Sequence, residues 1–416
     1  MLMWPFYFAG ILLYEAAIRV ASLFNAKAKL WVAGRKEQQQ LWEALKGKNE
    51  KRILFHCASL GEFEQGRPVL EALRAEYPDH KIVLTFFSPS GYEVRKNTPL
   101  ADYVFYLPMD GPVMSRKFVK TISPKMIFFV KYEFWYFYGK YIAKKKIPYY
   151  CVSAIFRADQ VFFRFYGGFF RKMILRFTHL FVQDQNSLSL LYKQSIARVT
   201  VTGDTRFDRV IANAQHPLEL SEIKAFVADK KVIVAGSTWP QDEEILKEFY
   251  QSIGNGFKLI IASHEIKQDN LIKLRDSFNG KAVLHSEWKS NHSGDYQVLI
   301  IDNVGMLSSL YQFADYAYIG GGFGVGIHNI LEAVVFGVPV FFGPNYKRFK
   351  EANDLIKLRG AFSIANATDL SQQFNLLELD DSLYAKTKST NEKYINDNKG
   401  ATGLIIEYLR MNYEGK

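Results

Sequence analysis

Residues 316–333, Tyr316-Ala317-Tyr318-Ile319-Gly320-Gly321-Gly322-Phe323-Gly324-Val325-Gly326-Ile327-His328-Asn329-Ile330-Leu331-Glu332-Ala333, read as a short apolar strand, a glycine-rich turn and the start of a helix. Glycines at such a turn let the backbone approach a ligand, and the start of a helix offers free N–H groups to a phosphate. Asn329 is placed to cap that helix. Glu332, about one turn in, is placed to offer a carboxylate to the vicinal hydroxyls of a ribose. No register satisfies G-x-G-x-x-G, so a nicotinamide or flavin dinucleotide fingerprint is not supported. Glycine-rich turns are common in α/β folds without ligands, but the continuation His328-Asn329-x-x-Glu332 and then Gly337-Val338-Pro339-Val340 favours a binding role.

Outward from this stretch, β-rich runs alternate with segments of helical period, as in parallel sheets covered by helices. The first series of strands is Ile53–His56, Ile82–Phe86, Tyr103–Tyr106, Met126–Val130, Tyr149–Val152, Leu180–Val182 and Val199–Thr202. The second is Val232–Ala235, Lys258–Ala262, Val298–Ile301, Tyr316–Ile319 and Val338–Phe341. The 416 residues exceed what one core usually supports, so two domains of about 200 residues are expected. The boundaries expected are 1–35 for an N-terminal apolar segment, 36–213 and 231–390 for two Rossmann-like α/β domains, and 214–230 for a connector. Residues 391–416 are expected to form a helix packing back on the N-terminal domain. Residues Asn291–Gly294 read as a surface loop. Ligands of such folds gather at the carboxyl ends of strands, which places the expected active site in a cleft between the two halves.

Apolar residues make up 48% and charged residues 23%, the balance of a globular chain. Lys plus Arg exceeds Asp plus Glu by 53 to 42, a net charge of +11 that suits an anionic partner. Cys57 and Cys151 form neither a disulfide framework nor a metal spacing, so no metal and a reducing cytoplasm are expected. Met1 to Tyr14 carries no charge, Glu15 and Arg19 follow, and Lys27, Lys29, Arg35 and Lys36 come after. That run is short for a bilayer span and lacks the basic start of a secretory signal. It reads as an uncleaved apolar or amphipathic membrane anchor that keeps the remaining chain on the cytoplasmic side, or as a helix buried against the protein. Phe162 to Lys172 mixes aromatics with cations and, with Lys144, Lys145 and Lys146, suits a lipid headgroup region; a core helix with snorkelling cations reads equally from the pattern.

Several strand ends carry polar groups. Glu62 follows Ile53–His56 through Cys57-Ala58-Ser59-Leu60-Gly61 and is placed to act as a general base, or as a helix-start acid. Glu133, in Lys131-Tyr132-Glu133-Phe134-Trp135, is a carboxylate among aromatics, or the partner of Lys131. Arg206, in Gly203-Asp204-Thr205-Arg206-Phe207-Asp208, is a cation for a leaving phosphate or sugar carboxylate, or an ion-pair partner of Asp204 or Asp208. His56 reads equally as a core histidine. Ser237, Thr238 and His264, with Gly324 and His328, are placed around a nucleotide site.

Taken in order, HCASLGEFEQGRPVLEAL, TFFSPSGYEV, YLPMDGP, KYEFW, VTGDTRFD, AGSTWPQDEE and GGGFGVGIHNILEAVVFGVPVFFGP resemble the 3-deoxy-D-manno-octulosonic acid (Kdo) transferases of lipopolysaccharide and lipid A biosynthesis. The resemblance covers nearly the whole chain. It implies an inverting glycosyltransferase of GT-B fold with two Rossmann-like domains, the first binding acceptor and the second CMP-Kdo. The implied acceptor is a lipid A precursor, a tetra-acyl disaccharide bisphosphate, met at the cytoplasmic face of the bacterial inner membrane. No metal, redox cofactor or nucleic acid is implied. By motif, Glu62 falls on the family's general base, and Glu133 and Arg206 on its transition-state acid and cation. CMP contacts fall on Ala262, Ser263, Val304, Gly305, Met306, Asn329, Ile330, Leu331 and Glu332. Against the usual pattern, Arg206 stands for Lys, Asp204 for Asn, Ser263 for Arg, Met306 for Glu and Trp239 for His. The change at Ser263 removes a phosphate-binding cation.

Overall fold

The computed structural model describes residues 3–290 and 293–413. The chain forms two compact units, one of residues 1–209 and 399–416, the other of residues 210–398. The first contains β1 (Lys51–Cys57), β2 (His80–Phe86), β3 (Tyr103–Tyr106), β4 (Met126–Val130), β5 (Tyr149–Ala154), β6 (His179–Val182) and β7 (Val199–Val201). They form one parallel sheet in the order β3-β2-β1-β4-β5-β6-β7. Ile53, Leu54 and Phe55 of β1 and all five residues of β4 are fully buried, as expected of central parallel strands covered on both faces. The order reverses between β1 and β4, and the crevice beyond such a switch point is where a doubly wound sheet binds ligands.

The second unit repeats the plan with β8 (Lys231–Thr238), β9 (Phe257–Ser263), β10 (Ala282–Leu284), β11 (Val298–Ile301), β12 (Tyr316–Ile319), β13 (Val340–Phe342) and β14 (Ala361–Ser363). All pairs are parallel, in the order β10-β11-β9-β8-β12-β13-β14, so the switch point lies between β8 and β12. The stretch 214–230, expected as a connector, contains the helix Ser221–Val227, whose Ile223, Phe226 and Val227 are buried. The helix Asp381–Asn398 lies within the second unit, and the chain rejoins the first at Lys399.

Three helices of the first unit bear on function: α1 (Trp4–Ala21), α2 (Ala26–Glu43) and α3 (Leu60–Glu76). The terminal helix Ala401–Asn412 packs on α3, burying Ile405, Ile406 and Leu409 with Phe63 and Leu70. Asp208 fixes its start by accepting from the Gly400 and Thr402 amides at 2.6 and 2.7 Å. Among the described residues no single helix is long and apolar enough to cross a membrane, although α1 and α2, bent at 118°, have that length and composition together. α1 does not sink into the core. Trp4, Tyr7 and Phe8 pack on the aromatic cluster of Tyr136, Phe137 and Phe169, while Phe6, Leu13 and Val20, one stripe at seven-residue spacing, stay exposed. The segment 162–172 divides in the same way: Phe162 and Phe163 pack on the core and Phe165 is 95% exposed. Arg171 donates to the Phe162 and Arg164 carbonyls at 2.9 Å. Of the loop expected at 291–294, Asn291 and His292 lie outside the described residues.

Candidate active site

Glu62 and Glu133 follow β1 and β4, the two strands that flank the first switch point. Glu62 sits in the first turn of α3 and its Oε2 accepts from the Ala58 amide at 2.5 Å. That contact belongs to a helix-capping acid, and a helix start ordinarily favours the ionised form. Here the opposite holds: burial first, then the neighbouring Glu133 charge, push the Glu62 carboxyl up to about 7, against the opposing pull of the Ala58 amide and Lys131. A carboxyl poised there can take a proton from a substrate near neutral pH. Both readings left open by the sequence therefore describe one side chain.

Glu133 is held from two sides. Its Oε2 lies 3.2 Å from Nε2 of the fully buried His56 and accepts from the Trp135 indole N–H at 2.7 Å. The other ring nitrogen of His56 lies 2.9 Å from the Thr85 hydroxyl. His56 is thus a core residue that also positions Glu133, a role its sequence context did not reveal. Lys131, directly after β4, adopts φ +66, a left-handed conformation costly for a residue with a side chain. Tyr132 accepts from Arg157 at 3.3 Å, adding a second cation to this strand end.

Arg206 is occupied. Its Nε and Nη2 both lie 2.8 Å from Asp204 Oδ2. Burial would raise the Asp204 carboxyl, but Arg206 and the Gln65 amide, donating at 2.8 Å, hold it below the usual range. The ion-pair reading of Arg206 is present in this conformation with Asp204 as a partner, while Asp208 caps the terminal helix. Gln65 lies three residues beyond Glu62 on α3, so a single helix carries the carboxylate and anchors Asp204, a partner of Arg206. Ser153 and Thr205 join their hydroxyls at 2.7 Å beside it.

In the second unit the glycine-rich turn differs from expectation. Its helix is only Leu331–Val334, so no extended helix start faces a phosphate; Gly337, at φ +78, and Pro339 end it. Asn329 still accepts from the Leu331 amide at 3.3 Å and donates to Glu332 at 3.1 Å. Most of the glycines serve chain packing: a Cβ at Gly320 would collide with the Ser237 carbonyl and Thr238 Cα, and one at Gly322 with the Gly343 backbone. Gly324 and Val325 form the exposed tip. Beside that tip, Arg348 donates to the Val325 carbonyl, a cation the sequence reading did not single out.

The buried Asp242 ties the turn together, accepting from the Gly321 and Trp239 amides at 2.9 Å and from the Tyr318 hydroxyl at 2.8 Å. Its signal was Pro240 at a helix start with an acid two residues on. Trp239 donates to His328 at 3.1 Å, and His264 stacks on both rings, with centroids 4.6 and 4.4 Å away; burial first, then His264, lowers the His328 pKa. Ser263 and Thr238 both donate to Glu243, at 2.6 and 3.0 Å. Ser237, at the irregular end of β8, takes φ +55. Ile330 and Leu331 are fully buried and Ala262 and Met306 nearly so, so this conformation presents little of these four to a ligand, whereas Val304 and Gly305 are open. Among the described residues no group of three or more His, Cys, Asp or Glu could hold a metal.

Two doubly wound parallel sheets, each with polar residues at its switch point, make a GT-B-type fold. The family model described as 3-deoxy-D-manno-octulosonic-acid transferase (kdotransferase) matches residues 33–209. The 3-deoxy-D-manno-octulosonic acid transferase of Aquifex aeolicus is 28% identical over 88% of this chain and 96% of its own. That of Haemophilus influenzae is 23% identical over 99% of both. Residues 33–209 thus match the Kdo transferase family model, and over most of its length the chain is similar to Kdo transferases. Among solved structures, the UDP-GlcNAc 2-epimerase of Neisseria meningitidis bound to UDP-GlcNAc covers 87% of this chain and 100% of its own at 16% identity and a TM-score of 0.62, a likeness of fold alone.

Proposed function

We propose that this transferase moves Kdo from CMP-Kdo to a sugar hydroxyl of a tetra-acylated lipid A precursor, with inversion and without a metal or other cofactor. Glu62 removes the hydroxyl proton as the oxygen attacks the anomeric carbon, and CMP departs from the opposite face. The observation that carries this is a carboxyl raised to about 7 at the β1–β4 switch point, beside a second carboxylate fixed by His56 and Trp135. Glu133 orients or polarises the reacting sugars. Arg206, freed from Asp204, offsets phosphate charge. The nucleotide is read by Ala262, Ser263, Val304, Gly305, Met306 and the segment Asn329–Glu332, with Ser237, Thr238, His264, Gly324 and His328 in support. With Ser263 in place of an arginine, Arg348 is the cation beside the turn.

The exposed apolar stripe of α1, with Phe165 and the exposed Lys144, Lys145 and Lys146, supports attachment to an anionic membrane surface on its cytoplasmic side. The testing experiment incubates the purified chain with CMP-Kdo and the tetra-acylated precursor and reads the product by mass. A gain of one or more Kdo is expected; no gain, together with thermal protection by UDP but not CMP, would instead favour the chemistry of the epimerase that shares the fold.

A further inference from the structure

A cavity of about 450 Å³ opens in the first unit between α1, α2 and the segment 106–114. Its size falls in the range of roughly 300–1,000 Å³ typical of small-molecule sites. Phe8, Ile11, Trp31, Trp42, Met109 and Val113 give it a mainly apolar wall, with Gln38, Gln39 and charged groups among the rest of the lining. Asp110 holds α1 over it, accepting from the Tyr7 hydroxyl at 2.8 Å and from the Phe137 and Tyr138 amides and the Ser115 hydroxyl at 2.9 Å. At one side the Arg35 guanidinium stacks 3.6 Å from the Trp31 ring centroid and 4.8 and 4.9 Å from those of Phe87 and Tyr106.

Arg35 donates to the Phe87 carbonyl at 2.8 Å, its Nε is buried without a hydrogen-bond partner, and among the described residues no carboxylate pairs with it. Lys36 adds a second charge, while the nearby Glu15 is paired with Arg19. The cavity is also joined to the candidate active site. Phe87 packs on Trp135 at 5.3 Å between centroids, and Trp135 bonds Glu133.

We infer that this cavity binds one acyl chain of the acceptor, with Arg35 and Lys36 at the side where the chain meets an anionic head group. The inference rests on the acceptor named under Proposed function and adds where that acceptor is gripped. An apolar slot beside two cations fits an anionic amphiphile, and the Phe87–Trp135–Glu133 path connects the slot to the carboxylates that handle the sugar. Each methylene buried contributes roughly fourfold to binding.

The test compares phosphorylated disaccharide acceptors bearing one acyl chain of six or twelve carbons, in the wild type and in Ile11→Trp and Val32→Trp, which fill the slot from α1 and α2. Six further methylenes, if all are buried, favour the longer chain by about three orders of magnitude in kcat/KM in the wild type, carried by acceptor KM, and both variants should lose at least tenfold of that preference. In parallel, dodecyl phosphate but not inorganic phosphate should raise the Tm of the wild type, and the variants should lose that response. Retention of either response by both folded variants, or its absence from the wild type, overturns the inference while leaving Kdo transfer itself standing. Should no acceptor be glycosylated, the dodecyl phosphate arm decides the cavity and the missing product counts against the proposed function.

Discussion

Replacing Glu62 with glutamine should stabilise the first unit, and by an amount that depends on pH. An ordinary glutamate ionises near 4.5 and Glu62 near 7, so holding it ionised in the folded chain costs about 3 kcal/mol. Between those values the folded chain keeps a proton that the unfolded chain has released. Stability therefore falls as pH rises through this window, and the penalty is complete above about 7. An amide at position 62 carries no such penalty and retains an oxygen to accept from the Ala58 amide. Denaturant unfolding followed by tryptophan fluorescence should show Glu62→Gln more stable by about 1 kcal/mol at pH 5 and about 3 kcal/mol at pH 8. A gain equal at both values, or a loss that grows toward pH 8, would refute the claim that this carboxyl is held in a site hostile to its charge.

The same electrostatics govern the other variants. Glu133→Gln removes the neighbouring negative charge that helps raise the Glu62 pKa, so the acid limb of kcat/KM should move to lower pH even as the rate falls. Asp242→Ala strips three donors of their shared acceptor and should destabilise the second unit by about 3 kcal/mol in denaturant unfolding. Arg348→Met should raise the KM for CMP-Kdo about tenfold, an effect of about 1.4 kcal/mol, with kcat little changed.

Much of the architecture was legible because buried parallel strands write themselves as short apolar runs. The two strands not foreseen, β10 and β14, are three-residue edges of their sheet, too brief to stand out from helix-flanking sequence. Glu62 and Glu133 were legible as strand-end acids. Their charge coupling, and the part of His56 in fixing Glu133, depend on β1 and β4 lying side by side, which no local pattern states. The glycine-rich turn misled in one respect: its glycines accommodate neighbouring backbone at Ser237, Thr238 and Gly343, contacts made between segments distant in sequence. Asp242 escaped notice for the same reason, since two of its three donors lie on or beside β12.

The account turns on Glu62 as the proton acceptor, and the pH dependence of kcat/KM for Kdo transfer tests this most directly. Wild type should show an acid limb near pH 7, and Glu62→Gln, still folded, should lose on the order of 10²–10⁴ in rate together with that limb. A folded Glu62→Gln enzyme with near wild-type turnover and an unchanged limb would contradict it.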